Sequence, residues 1–155
     1  MRLLVQRVKN ASVEVNKEVV GKIDNGLLIF VGIKDTDTKQ EADYLARKIV
    51  NLRIFNDEND KLNLSVKDTN GKLLIVSQFT LYANCEHGNR PSFIEAAKGE
   101  KANELYEYFC QKSSEYGIEI QKGIFGADMK VNLLNDWPVT IWLEKENKGA
   151  NSWKY

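Results

Sequence analysis

Gly26-Leu27-Leu28-Ile29-Phe30-Val31-Gly32-Ile33 is continuously apolar, with no alternation that would set one face toward water. A strand written this way suits a position covered on both faces, so the sheet that holds it needs a layer on each side. Upstream, residues 3–8, the strictly alternating Ala11-Ser12-Val13-Glu14-Val15 and residues 19–23 read as strands, with Asn16-Lys17 and Asn25-Gly26 as the turns between them. The first third is therefore expected to be a meander of antiparallel strands.

Downstream the period changes. Ala42, Leu45, Ile49 and Leu52 recur at helical spacing over residues 39–52, with Asp37 or Thr38 available as N-cap. Arg53-Ile54-Phe55 is a short strand, residues 56–61 a polar turn, and residues 72–79, entered through Asn70-Gly71, form the most hydrophobic strand of the second half. A glycine- and polar-rich loop at 84–91 precedes a second helical pattern from Ala102 to about Tyr116, striped by Leu105, Tyr108, Phe109 and Lys112. Strands at 118–123 and 129–134 follow, and residues 138–143 extend the last one beyond a break at Asn135-Asp136.

No repeat, low-complexity tract or linker divides the chain. The elements predict one α/β (α+β) domain over residues 1–144, with a mostly antiparallel sheet curled toward a barrel and two main helices. Residues 145–155 lose apolar periodicity and are expected to form a flexible tail unless Trp153 and Tyr155 dock.

At 155 residues the chain fits a single core, burying roughly 70% of the surface its unfolded form exposes. Lys+Arg and Asp+Glu both number 22, so no global positive field marks a nucleic-acid binder and any RNA contact must be local. Two cysteines, Cys85 and Cys110, make no disulfide framework, which points to reduced thiols and a cytoplasmic location. Neither a targeting segment nor a membrane span is expected, because Met1-Arg2-Leu3-Leu4-Val5-Gln6-Arg7-Val8 is charged within its apolar stretch and no later run is long enough.

Two polar segments carry the chemistry. Ser77-Gln78-Phe79-Thr80-Leu81 ends an apolar strand and Asn135-Asp136-Trp137-Pro138-Val139-Thr140 interrupts another, each with small hydroxyl and amide side chains that a strand end can present to a ligand. Satisfaction by neighbouring backbone is the plain alternative for both. Cys85-Glu86-His87 offers a thiol beside an imidazole, but no orienting partner is evident. One His and two Cys supply no recognisable metal spacing, and Gly21, Gly26 and Gly32 are too dispersed for a phosphate cradle, so neither metal nor cofactor is expected. Arg7 lies among apolar strand neighbours and must snorkel outward or find acceptors.

The two segments resemble the signature motifs of the D-aminoacyl-tRNA deacylase family, Ser-Gln-x-Thr-Leu and Asn-x-Gly-Pro-Val-Thr, the second departing only at Trp137, where the family has glycine. Further similarity runs through Gln6-Arg7-Val8, Gly32-Ile33, Leu52-Arg53-Ile54-Phe55, Asn89-Arg90-Pro91-Ser92-Phe93 and Gly123-Ile124-Phe125-Gly126-Ala127-Asp128-Met129, ending near Trp142-Leu143. The resemblance implies a homodimer that hydrolyses the ester between a D-amino acid and the 3′-terminal adenosine of tRNA. It implies catalysis through Ser77, Gln78, Phe79 and Thr80, with backbone N–H groups near Phe79 and Thr80 holding an oxyanion and the tRNA 2′-hydroxyl or a water assisting. Trp137 and Pro138 stand where a Gly-cisPro pair enters the partner's pocket and excludes L-residues. Arg7 would orient that pair, and Met129 would belong to the same substrate-binding set.

Trp137 adds an indole where a ligand must come close, so impaired or altered activity is expected, with Trp137→Gly restoring turnover. Two other readings stay open: an aminoacyl-tRNA end-binding protein without turnover, with Trp137 stacking on a base, and a proofreading deacylase for mischarged L-aminoacyl-tRNA. Lys98, Lys101 and Lys112 are either a solvated helix face or phosphate contacts.

Overall fold

Side-chain alternation along each central strand feeds two separate apolar clusters. In the computed structural model, which describes residues 1–148, β1 spans Arg2–Val15, β2 Glu18–Ile23 and β3 Gly26–Gly32. Leu27, Ile29 and Val31 of β3 join one cluster while Leu28 joins the other, so the stretch that reads as covered on both faces is so covered. The same split runs through β1, with Leu3 and Val5 on one side and Val8, Ala11 and Val13 on the other.

Helix α1 (Lys39–Asn51), the small ribbon of β4 (Phe55–Asn56) and β5 (Leu62–Leu64), and strand β6 (Lys72–Ser77) follow. A 3₁₀ turn at Phe79–Tyr82, helix α2 (Gly99–Ser114), β7 (Ile120–Lys122) and β8 (Lys130–Glu144) complete the order. The first cluster includes residues of both helices; the second draws on strands and Met129, and fills the inside of the curled sheet.

The sheet order is β2-β1-β3-β6-β7, with β8 pairing along β1. The expected antiparallel meander holds only through β3. β3–β6 and β6–β7 are parallel, because α1 and α2 each carry the chain back across one sheet face before the next strand begins, and the sheet is mixed. Gly21 of β2 lies so close to the Lys122 carbonyl of β7 that a Cβ would overlap it, which brings the two ends of the sheet nearly together as a barrel.

Several boundaries differ from the sequence expectation. Residues 3–8 and 11–15 are one strand, whose register against β8 is irregular on both sides of Val8. β8 is likewise continuous through the Asn135-Asp136 break, since the irregular pairing with β1 absorbs the extra residues without ending the ladder. β6 stops at Ser77, so Phe79 and Thr80 lie in the 3₁₀ turn rather than on the strand. The strand expected at 53–55 is Phe55–Asn56, and α2 starts at Gly99, ahead of Ala102.

Thr38, not Asp37, caps α1 through a reciprocal capping box with Glu41. Asp37 instead accepts from the Met1 ammonium at 2.7 Å and from the Lys34 N–H at 2.7 Å. The buried face of α1 is Ala42, Leu45, Ala46, Ile49 and Val50; Leu52, expected on the stripe, is the C-cap. On α2 the buried stripe is Ala102, Leu105, Tyr106, Phe109 and Cys110. Tyr108 is half-buried, packs its ring against the core and donates to Asp43 at 2.6 Å, whereas Lys112 reaches Glu115 at 3.3 Å and lies outside the core.

Beyond β8, the Lys145 N–H donates to the Met1 carbonyl at 3.0 Å and the Asn147 amide to the Thr36 carbonyl at 3.1 Å. The flexible tail expected over residues 145–155, and any docking of Trp153 and Tyr155, fall mostly outside the described residues.

Candidate active site

Where β6 ends, its parallel pairing with β3 delivers a polar turn to an open edge. The Gln78 N–H donates to the Val31 carbonyl at 2.8 Å, one last ladder bond, and the chain then tightens into the 3₁₀ turn with Leu81 N–H on the Gln78 carbonyl at 3.2 Å. Gly32 makes room for that turn, since a Cβ there would press on the Leu81 side chain, the Gln78 carbonyl and the Tyr82 ring. The Gln78 amide nitrogen donates to the Thr80 hydroxyl. Phe79 is half exposed and meets the Phe93 ring edge-on, with centroids 5.1 Å apart.

A cavity of about 540 Å³ opens beside this turn, lined by Ser77, Gln78, Phe79 and Met129, by Phe125 to Asp128, and by Lys98-Gly99 at the start of α2. Its one carboxylate is already engaged: Lys130 donates to Asp128 at 2.6 Å. Apart from Lys98, the rest of the wall is amide, hydroxyl, backbone and apolar groups, a lining suited to orienting a polar acyl group through hydrogen bonds. Tyr106, deep behind β6, donates to the Ile75 carbonyl at 2.7 Å, and burial raises its phenol well above the ordinary range.

Arg2 braces the turn from its other side. It donates to the Leu81 carbonyl at 2.9 Å, packs its guanidinium 4.3 Å from the Tyr82 ring centroid, and pairs with Glu144 at 3.0 Å. The Tyr82 hydroxyl is buried with no hydrogen-bond partner among the described residues, and burial raises its pKa above the ordinary value. Arg2 was not singled out from sequence as a site residue; the available signal was an arginine at the head of an apolar strand.

The second polar segment stands apart from the cavity. Asn135 staples its own loop, accepting from the Val139 N–H at 3.0 Å and donating to the Thr140 hydroxyl at 2.8 Å. Between those anchors Trp137 and Pro138 project outward through a cis peptide bond, with Trp137 at 66% exposure. Trp137 holds φ at +128°, a region that favours glycine, the residue the family carries there.

Arg7 is 5% exposed and finds acceptors rather than solvent. Its Nε donates to the Asp136 carbonyl at 3.0 Å, and its Nη1 to the Ile54 carbonyl at 3.1 Å and Asn56 Oδ1 at 2.7 Å. The Trp137 ring lies over its guanidinium at 5.6 Å. Arg7 thus ties the projecting loop to the β4 ribbon.

The structure therefore brings Ser77, Gln78, Phe79 and Met129 to one cavity, with Thr80 joined to it through Gln78. Arg7, Trp137 and Pro138 assemble elsewhere and do not line it. Sequence reasoning did not mark Lys98 and Phe125 as lining this cavity, although Phe125 lies in a quoted motif. Cys85 is exposed on the 84–92 loop and lines no part of the cavity, while burial pushes the Cys110 thiol up to about 12.

A nearly closed mixed barrel with two helices on one face, bearing a polar strand-end cavity and a projecting Trp-Pro loop, defines the class of α/β domain. The chain belongs to the D-Tyr-tRNA(Tyr) deacylase family, whose profile matches residues 4–144. It is 53% identical over 146 residues to the D-aminoacyl-tRNA deacylase of Thermosipho africanus (strain TCF52B), covering 94% of this chain and 98% of that protein. With the D-aminoacyl-tRNA deacylase of Flavobacterium psychrophilum (strain ATCC 49511 / DSM 21280 / CIP 103535 / JIP02/86) it shares 53% identity over 149 residues, 96% of this chain and 99% of the other. Among solved structures it superposes on the c-Myc DNA Unwinding Element Binding Protein with a TM-score of 0.89 at 40% identity, covering 95% and 100% of the two chains.

Proposed function

We infer that this protein is a hydrolase that cleaves the ester of D-aminoacyl-tRNA, releasing the D-amino acid and free tRNA. Family membership supports the reaction, and one observation supports its location: Ser77, Gln78 and Phe79 line a cavity at a strand end, beside the start of a 3₁₀ turn, where the first backbone N–H groups lack an intrahelical partner. An aminoacyl ester is already activated, so positioning and oxyanion stabilisation supply most of what catalysis requires. On this reading the backbone near Phe79 and Thr80 stabilises the tetrahedral oxyanion, Ser77 and Gln78 orient the adenosine end, and the substrate's 2′-hydroxyl or a water delivers the proton chemistry.

The active species is a homodimer in which the Trp137-Pro138 loop of one subunit reaches the Ser77–Phe79 cavity of the other, so that L-residues are rejected by contact rather than by side-chain recognition. Support comes from the projection of that loop away from its own cavity and from the stiffness that Arg7 and Asn135 lend it. Met129 contributes the apolar floor of the pocket. A cytoplasmic location, where aminoacyl-tRNA is used, completes the reading.

The test is hydrolysis of D-tyrosyl-, L-tyrosyl- and glycyl-tRNA with substrate in excess, the D-ester being the one expected to turn over. Absence of turnover for all three, with binding retained, would favour the end-binding reading, for which the exposed Trp137 indole is the specific observation. A monomer at micromolar concentration in gel filtration would remove the shared site.

A further inference from the structure

Helix α1 carries a second concavity, of about 550 Å³, lined by Tyr44, Arg47, Lys48, Asn51, Leu52 and Arg53. From the end of β8, Lys145 reaches over the same Tyr44 ring, its Nζ 4.8 Å from the centroid, while Lys48 Nζ lies at 5.6 Å and the Arg47 guanidinium at 5.8 Å. Three cations from two elements converge on one aromatic ring.

None of Arg47, Lys48, Arg53 and Lys145 forms an ion pair among the described residues, although Arg2, Lys34, Lys72, Lys112, Lys122 and Lys130 all do. Three nearby carboxylates already have partners. Asp43 accepts from Tyr108, Glu144 pairs with Arg2, and Asp68, the acid beside Arg53, accepts from Ser65. A helix C-terminus attracts cations by its dipole, but of these only Lys48 sits in the last turn as a dipole partner, and Lys145 comes from another element. In a chain of zero formal net charge, like charges held together without an ion pair among the described residues mark a place for an external anion.

We propose that this patch binds the sugar-phosphate backbone of the tRNA body, with Arg47, Lys48, Arg53 and Lys145 contacting phosphates and Tyr44 holding the cations in place. The proposal rests on the deacylase reading for the identity of the polyanion. Its position fits that reading: Arg53 is followed by Ile54, whose carbonyl is held by Arg7, which also holds Asp136 beside Trp137. Patch and projecting loop are thus linked through Arg7, and a tRNA whose 3′ end meets the loop has the patch within reach of its body. Of the lysines on α2, Lys112 is turned to Glu115.

The experiment is fluorescence anisotropy of uncharged tRNA with the full-length protein, across a salt series. Arg47→Gln/Lys48→Gln/Lys145→Gln is expected to weaken binding about tenfold or more and to lower the slope of log affinity against log salt by about two. Removing three exposed charges elsewhere, Lys17→Gln/Lys22→Gln/Lys61→Gln, is expected to change affinity less than about twofold. Lys48→Gln and Lys145→Gln alone, each expected to lose about threefold, carry the test if the triple variant does not fold. Equal affinity of patch variant and wild type, or an equal loss in the control triple, overturns the proposal. Because uncharged tRNA needs no turnover, a wild-type protein that binds through the patch yet hydrolyses no D-ester would overturn the deacylase reading and leave the patch standing.

Discussion

The turn at Phe79–Tyr82 and the loop at Trp137-Pro138 are both polar interruptions of apolar strands, yet they sit in the fold in opposite ways. The first is folded back onto its own sheet, anchored by Val31, braced by Arg2 and lining a cavity made by the same chain. The second is thrust outward, with Trp137 exposed and outside the lining of that cavity. A segment that is outward and held by a buried arginine presents its side chains to the surroundings, whereas a segment that lines a cavity presents them to that cavity.

The comparison breaks most completely at Arg7. Arg7→Ala leaves the Ile54 and Asp136 carbonyls without their donor, and the expected cost is about 3–5 kcal/mol by urea unfolding, with kcat/KM falling at least 100-fold. A loss confined to stability, with normal kcat/KM in the folded fraction, would mean that the loop orientation does not matter to chemistry.

The folded-back turn is tested next. Gln78→Ala is expected to lower kcat/KM about 100-fold, through KM as well as kcat, because the adenosine end loses a group that orients it. Thr80→Ala should cost far less. A loss of about four orders of magnitude or more at Thr80 would instead identify a nucleophile and refute assistance by the 2′-hydroxyl.

Arg2→Ala sharpens the contrast between brace and turn. It removes one hydrogen bond to Leu81 and the stacking on Tyr82, and is expected to cost about 1–2 kcal/mol of stability. Activity should fall about tenfold through kcat, since a looser turn misaims its N–H groups; an unchanged kcat would assign Arg2 to stability alone.

The smallest effect belongs to Trp137→Gly. Relief of the positive φ contributes about 1–3 kcal/mol, against about 0.5–1 kcal/mol of added chain entropy in the unfolded state, so a net gain of about 1 kcal/mol in thermal unfolding is expected. D-ester turnover should rise as well, and no rise would show that the indole, lying over Arg7, already clears the site.

Much of this was legible in one dimension. The doubly covered β3 strand, the capped α1 helix and the two polar segments follow from periodicity, capping chemistry and side-chain type, which are local properties. Ser77, Gln78 and Phe79 could be grouped through a resemblance, and the structure puts them around one cavity together with Met129, which the resemblance set with Trp137, Pro138 and Arg7. Strand direction was not legible, because a crossover helix and a hairpin turn can follow the same apolar run; only the packing of α1 and α2 on one face makes β3, β6 and β7 parallel.

What the sequence by itself determined, then, is which segments are apolar on two faces, where helix α1 begins and which polar side chains have no place in a core. The tertiary structure alone decided that β8 runs unbroken past Asn135, that Arg2 reaches Leu81 and that Arg47, Lys48 and Lys145 meet around Tyr44. Those outcomes depend on contacts between residues far apart in the chain, and their energies are set by distance and burial, quantities that exist only once the chain has closed on itself.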